Sequence, residues 1–236
     1  VLPLICAPVC MLVRHRDWSW SVALFASWAS FAMSWMLLQQ VLTSGTVSYE
    51  LGNWSAPFGI EYRVDLINAY VLLIVSAIGA VVIPFARASV KAEFGINRVY
   101  FFYTSYLLCL TGLLGVTITG DAFNLFVFLE ISSLSSYVLI ALGRDRRALM
   151  ASYQYLVMGT IGATFIVIGI GLLYAETGTL NMVDLAERLA HRPSSRTIGA
   201  AFAFLVVGIS LKLALFPLHL WLPNAYTYAP SMVSAF

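Results

Sequence analysis

The chain has 236 residues, 61% of them hydrophobic and only 10% charged, and a mean hydropathy of +0.88. Soluble domains carry about 25% charged residues, so the composition describes an integral membrane protein whose solvent is mostly lipid. A formal net charge of +2, without a basic tract or an aromatic-interleaved basic stripe, excludes a nucleic-acid partner.

A membrane-spanning helix needs about 20 apolar residues. Seven windows approach or meet that length: 1–13, 18–42, 64–86, 99–118, 121–143, 150–175 and 198–222. None alternates as a barrel strand would, so each is expected to be a helix that satisfies its own backbone. The fold class is therefore all-α: a polytopic helical membrane protein with about seven spans. The chain opens on Val1 inside an apolar run and closes on SMVSAF without a charged flank. The expectation is a fragment that lacks a few N-terminal residues and a C-terminal part, with no signal peptide. Two units are expected, 1–98 with helices one to three and 99–236 with the rest. Cys6, Cys10 and Cys109 all fall in apolar runs and read as small buried hydrophobes.

The connections alternate in charge. Those after spans one, three and five are 14–17, 87–98 and 144–147, with eight Arg/Lys and three acids. Those after spans two, four and six hold four Arg and seven acids, counting Asp65 and Asp121 at the span ends. The positive-inside rule puts the first set in the cytoplasm and the N-terminus outside. Two outer connections have patterns of their own. YELGNWSAPFGIEYRVD (49–65) carries turn signals between β-prone stretches and predicts a small hairpin. TLNMVDLAERLAHR (179–192) has apolar residues at helical spacing and predicts a surface helix along the membrane. A plain polar connector is the simpler alternative for each.

Span five contains one interior acid, Glu130, about 14 Å from the span start at 1.5 Å per residue. Span seven contains one lysine, Lys212, again near mid-depth. Ionisable groups there are costly and usually functional. Sharing a cavity would let each lessen the other's cost, and moving the two together or apart would change the proton affinity of both. Pro217 removes a backbone donor and clashes with the carbonyl of Leu213, which predicts a broken seventh helix. His219 follows on nearly the same face as Lys212. A purely structural role stands beside each of these readings: a pair that only joins two helices, an ordinary kink, an interfacial histidine. Ser132, Ser133, Ser135 and Ser136 read either as close-packing residues or as hydration for a proton path. Gly159, Gly162 and Ala163 read as helix-packing sites. No nucleophile–base motif, phosphate loop, haem motif or metal-ligand cluster appears. The chain is expected to be a transporter subunit, not an enzyme, with no cofactor and no bound metal.

GDAFNLFVFLEISSLSSYVLIALG (120–143) and LKLALFPLHLWLPNAYTYAPS (211–231) resemble the antiporter-like membrane subunits shared by Mrp-type cation/proton antiporters and respiratory complex I. The resemblance also covers 49–65 and 177–189. It implies a fold of about fourteen helices with two inverted five-helix repeats, of which this chain holds part. It implies proton translocation through Glu130 on the fifth helix and Lys212 on a broken seventh, with His219 as the remaining titratable candidate. Asn224 and Tyr226 stand where complex I relatives more often have Asp and His, and GDAFNLFVFLE is most similar to the Mrp D subunit. The implied function is sodium/proton exchange in a multisubunit complex of the plasma membrane. The alternative is a proton-pumping subunit of complex I or a membrane hydrogenase.

Overall fold

The computed structural model describes residues 1–93, 99–193 and 195–236. It is mostly helical: α1 (Leu2–Val13), α2 (Arg16–Ser44), α3 (Leu66–Glu93), α4 (Val99–Ile118), α5 (Ala122–Ala141), α6 (Arg146–Thr177), α7 (Met182–Ala190), α8 (Arg196–Lys212), α9 (Trp221–Tyr228) and α10 (Ser231–Ala235). Strands β1 (Val47–Glu50) and β2 (Glu61–Val64) pair antiparallel, with Val47 opposite Val64 and Glu50 opposite Glu61. The predicted hairpin is thus present, and α7 occupies the segment predicted as a surface helix.

Among the described residues five helices, α2 to α6, are long and apolar enough to cross a membrane. The first and seventh windows form shorter helices of 12 and 17 residues, α1 and α8. The third window predicts a helix ending at 86; α3 instead runs through Glu93, so 87–93 is helical and not a connecting loop. The remainder of that connection, 94–98, and with it the expected unit boundary at 98, lies outside the described residues.

Helix α4 is the centre of the first half. Phe102, Tyr103, Tyr106, Leu107 and Leu110 are almost completely buried, because α4 packs against α1, α2, α3 and α5 at once. The Tyr106 hydroxyl donates to the Gly79 carbonyl at 2.6 Å, which satisfies a polar group that lipid could not. Helix α2 solves the same problem locally. Ser27, Ser30 and Ser34 are buried, and each donates to a carbonyl one turn back at 2.7–2.8 Å.

Helix starts follow ordinary capping chemistry. Asp121, Asp145, Asn181 and Ser195 each accept from backbone N–H groups of the helix they precede. At the end of the bundle where α2, α4 and α6 hand over, these connections are fastened together. The Gly120 N–H donates to the Glu61 carbonyl at 2.8 Å, and the Met182 N–H to the Gly120 carbonyl at 2.9 Å. The Glu61 carboxylate, nearly buried, accepts from Ser48 at 2.6 Å and from the Asn181 amide at 2.8 Å. Those hydrogen bonds, the Ser48 one foremost, outweigh burial and hold its pKa below the usual carboxylate range.

Candidate functional site

The α5 and α8 helices bring Glu130 and Lys212 into contact. Lys212 Nζ lies 3.0 Å from Glu130 Oε1 and donates to Ser133 Oγ at 2.8 Å. The two side chains are 21% and 11% exposed, so the pair is largely removed from its surroundings. Glu130 and Ser133 are three residues apart and therefore share a helix face. The four serines are now distinguishable: Ser132, Ser135 and Ser136 donate to carbonyls of their own helix, while Ser133 faces the ammonium. Desolvation cancels much of the Coulomb gain of a buried ion pair, so such a pair is weak evidence for stability.

Lys212 is the last residue of α8. The sequence predicts a break at Pro217; the helix has already ended at Lys212, Ala214 has φ of 51°, and Pro217 lies in the non-helical stretch 213–220. The Leu215 N–H reaches back to the Ser210 carbonyl at 3.0 Å, a wider turn than an α-helix makes. The Leu211 carbonyl, next to the helix end, accepts from the Leu213 N–H, from the Ala214 N–H at 3.3 Å and from the indole N–H of Trp221 at 3.2 Å. The site thus has a polar partner that the sequence did not single out, because tryptophan in an apolar run reads as lipid-facing.

Trp221 is nearly buried and belongs to a column of rings. It stacks on Tyr155 with centroids 4.1 Å apart and planes 3° from parallel. Tyr155 in turn meets Tyr137 edge-on at 4.6 Å. Tyr137 is about two turns beyond Glu130 on α5. Its hydroxyl presses on the Cα of Gly159, where a side chain would collide with it. That hydroxyl makes no well-aligned hydrogen bond; Ser133 and Glu130 are among its polar neighbours. The column therefore links the Glu130 helix, through α6, to the segment that follows the break.

His219 sits within the non-helical stretch. Its ring lies 5.5 Å from that of Phe216, and its Nδ1 is buried without a partner. Among the described residues no hydrogen bond or ion pair joins it to Lys212 or Glu130. Cys6, Cys10 and Cys109 are free thiols. No group of His, Cys, Asp and Glu that could hold a metal occurs among the described residues.

The role of the Trp221 N–H can be isolated. Trp221→Phe keeps a ring on Tyr155 but removes the donor to Leu211, an expected cost of about 1 kcal/mol. Trp221→Ala also removes the stack, at about 3–5 kcal/mol. Thermal denaturation of the full-length subunit in its assembly should rank the three proteins wild type, Phe, Ala; equal stability of Phe and wild type would deny the indole N–H its role.

Over 218 residues the chain is 42% identical to NADH-quinone oxidoreductase subunit N of Desulforudis audaxviator, covering 90% of this chain and 42% of the relative. It is 33% identical over 225 residues to the Na(+)/H(+) antiporter D subunit of Alkalihalophilus pseudofirmus, covering 95% and 45%. Among solved structures it is similar to a chain of the membrane-bound sulfane sulfur reductase, an archaeal respiratory membrane complex. That match has a TM-score of 0.92 and 30% identity and covers 99% of this chain and 47% of the other. The chain thus spans less than half the length of these relatives. Residues 119–236, which contain the ion pair, the helix end and the ring column, match the NADH:quinone oxidoreductase/Mrp antiporter transmembrane family, and the chain is a multi-pass membrane protein belonging to that family.

Proposed function

We propose that the chain is part of a membrane subunit of a multisubunit monovalent-cation/proton antiporter of the Mrp D type, exchanging sodium for protons in the plasma membrane. The observation that carries this is the Glu130–Lys212 ion pair at the end of α8, 3.0 Å across and mostly enclosed. A proton delivered to Glu130 cancels the charge that holds Lys212. The ammonium keeps its bond to Ser133, or swings away on its four-carbon stem toward the non-helical stretch. With the ammonium away the neutral carboxyl group holds its proton; the return of the ammonium favours the carboxylate, drives the proton onward and resets the pair. Pro217, which has no N–H to give, keeps 213–220 from rewinding into a regular helix. His219, whose imidazole can both accept and give a proton, takes the proton beyond the break. No step makes or breaks a covalent bond other than to a proton, which is the chemistry of a transporter subunit and not of a catalytic one.

In this reading 1–98 is a supporting unit and 99–236 begins a translocating repeat, within a fold of seven spans continued by further helices. Other membrane subunits are its partners. The similarity to NADH-quinone oxidoreductase subunit N and to a respiratory membrane complex favours a second reading, a subunit that pumps protons while its partners transfer electrons. Vesicles containing the full-length complex separate the two. Imposed acid gradients should collapse on addition of sodium without any electron donor. A gradient indifferent to sodium and potassium, and formed only during quinone reduction, would replace the first reading with the second.

The proposed topology puts 14–17, 87–98 and 144–147 in the cytoplasm and the N-terminus outside. Single cysteines replacing Arg146 and Glu187 should label from opposite sides of the membrane. Labelling of both from one side would refute it.

A further inference from the structure

At the end of the bundle opposite the Glu61 cluster, a cavity of about 90 Å³ lies between the first turn of α2, the last turns of α3 and the base of α4. One water needs about 10–15 Å³, so the space admits a group several times larger. Its walls carry Arg16, Arg87 and Lys91 against a single acid, Asp17, and Trp20 and Tyr103 line it as well. The local charge is three cations less one carboxylate, an excess of two positive charges.

These cations are arranged rather than merely exposed. The Trp20 indole N–H donates to the Ile83 carbonyl at 3.1 Å, which fixes its ring. The Arg87 guanidinium lies 4.6 Å over that ring and 3.1 Å from Asp17, which also pairs with Arg16 at 3.4 Å. Asp17 thus holds two guanidinium groups side by side and uses few of their five N–H donors each. Lys91, one turn beyond Arg87, has no acid partner among the described residues. Arg87 is also the first charged residue after the apolar run of α3, so the cavity opens at the depth of the lipid headgroups. Paired guanidinium groups and an ammonium around a small space, with aromatic rings at the interface, match a phosphate group.

We infer that this cavity is a binding site for a phosphate group, carried by an anionic phospholipid or by free phosphate. Bound there, the phosphate would accept from Arg16, Arg87 and Lys91 and fasten α2 to α3 at the membrane surface. The readout is binding, so the inference stands or falls independently of the exchange function.

The test is thermal stabilisation of the full-length subunit in its detergent-purified assembly, wild type against Lys91→Gln and Arg16→Gln. Arg87 is spared because its loss would also break the contact with Trp20. The probes are phosphatidylglycerol, phosphatidylcholine and inorganic phosphate. Phosphatidylglycerol should stabilise the wild type, and each variant should need about fivefold more of it, the effect of about one surface cation. Phosphatidylcholine should not distinguish the three proteins. If inorganic phosphate reproduces the difference, the site takes the free anion; if only phosphatidylglycerol does, it takes the lipid. Equal responses of wild type and both variants to phosphatidylglycerol and to phosphate would overturn the site.

Discussion

Replacing Glu130 by Gln, or Lys212 by Ala, in the full-length subunit is expected to reduce cation/proton exchange at least tenfold, to background, while the complex still inserts and assembles. The Gln side chain fills the same space and can accept from Lys212, so packing survives. It cannot take up a proton and release it, so the cycle stops. Lys212→Ala removes the ammonium that moves. Breaking a buried ion pair from one side costs about 3–5 kcal/mol, but here Ser133 remains as a partner and both side chains are partly exposed. Assembly should therefore be weakened less than transport. The double variant should be no worse than either single one, because both remove the same step. Exchange in vesicles, with subunit content checked by co-purification, measures this; near-normal exchange in either single variant would sink the mechanism.

Gly208→Val is expected to have the largest effect on the fold. At this crossing α6 and α8 touch backbone to backbone. A Cβ on Gly208 would lie 2.7 Å from the Gly162 carbonyl oxygen and 2.9 Å from the Ile166 nitrogen. Neither is the movable end of a side chain, so the helices must separate. Overpacking typically costs about 1–3 kcal/mol, and an obstruction formed by backbone belongs at or above the top of that range. The separation would also carry Lys212, about one turn further along, away from Glu130. A melting temperature lowered by several degrees together with loss of exchange is the expected result. A valine variant as stable as wild type would show that the two helices can part at this crossing without cost.

Glu130 and Lys212 were legible in the sequence because each is an isolated charge in an apolar run, and lipid makes such a residue conspicuous. The hairpin and α7 were legible because turn residues and helical spacing act over a few positions. What was not legible depended on distance or context. Proline is the only strong local breaker in 208–223, so sequence logic assigns the break to it. The helix ends earlier because the end is compensated from outside, by the Trp221 indole on the Leu211 carbonyl. No local pattern announces that bond. Likewise α3 continues through Arg87 and Lys91 to Glu93 because charged residues favour the membrane surface without stopping a helix, and Glu93 then accepts from Ser231 at 2.7 Å. Only the fold, not spacing, could sort the four serines of α5 by what they face. Glu61 and Asn181 lie in different connections, and only the folded chain joins them.

Because α8 stops where it does, the negative end of its aligned peptide dipoles lies at Lys212. Such an end acts roughly as half a negative elementary charge, and a cation beside it gains about 0.3–1 kcal/mol in exposed settings and about 2 in enclosed ones. A continuous seventh helix would carry that field out to the membrane surface, where water and salt would screen it. The early end brings it next to the side chain that the proposed mechanism moves. Lys212 therefore rests between a charge that protonation can erase, on Glu130, and a partial charge that no proton can remove. When Glu130 is neutralised the ammonium is not abandoned in an apolar medium, because the helix end still attracts it. In the proposed mechanism the interrupted backbone acts as a permanent electrostatic tether, which sets how far the lysine travels before it is drawn back.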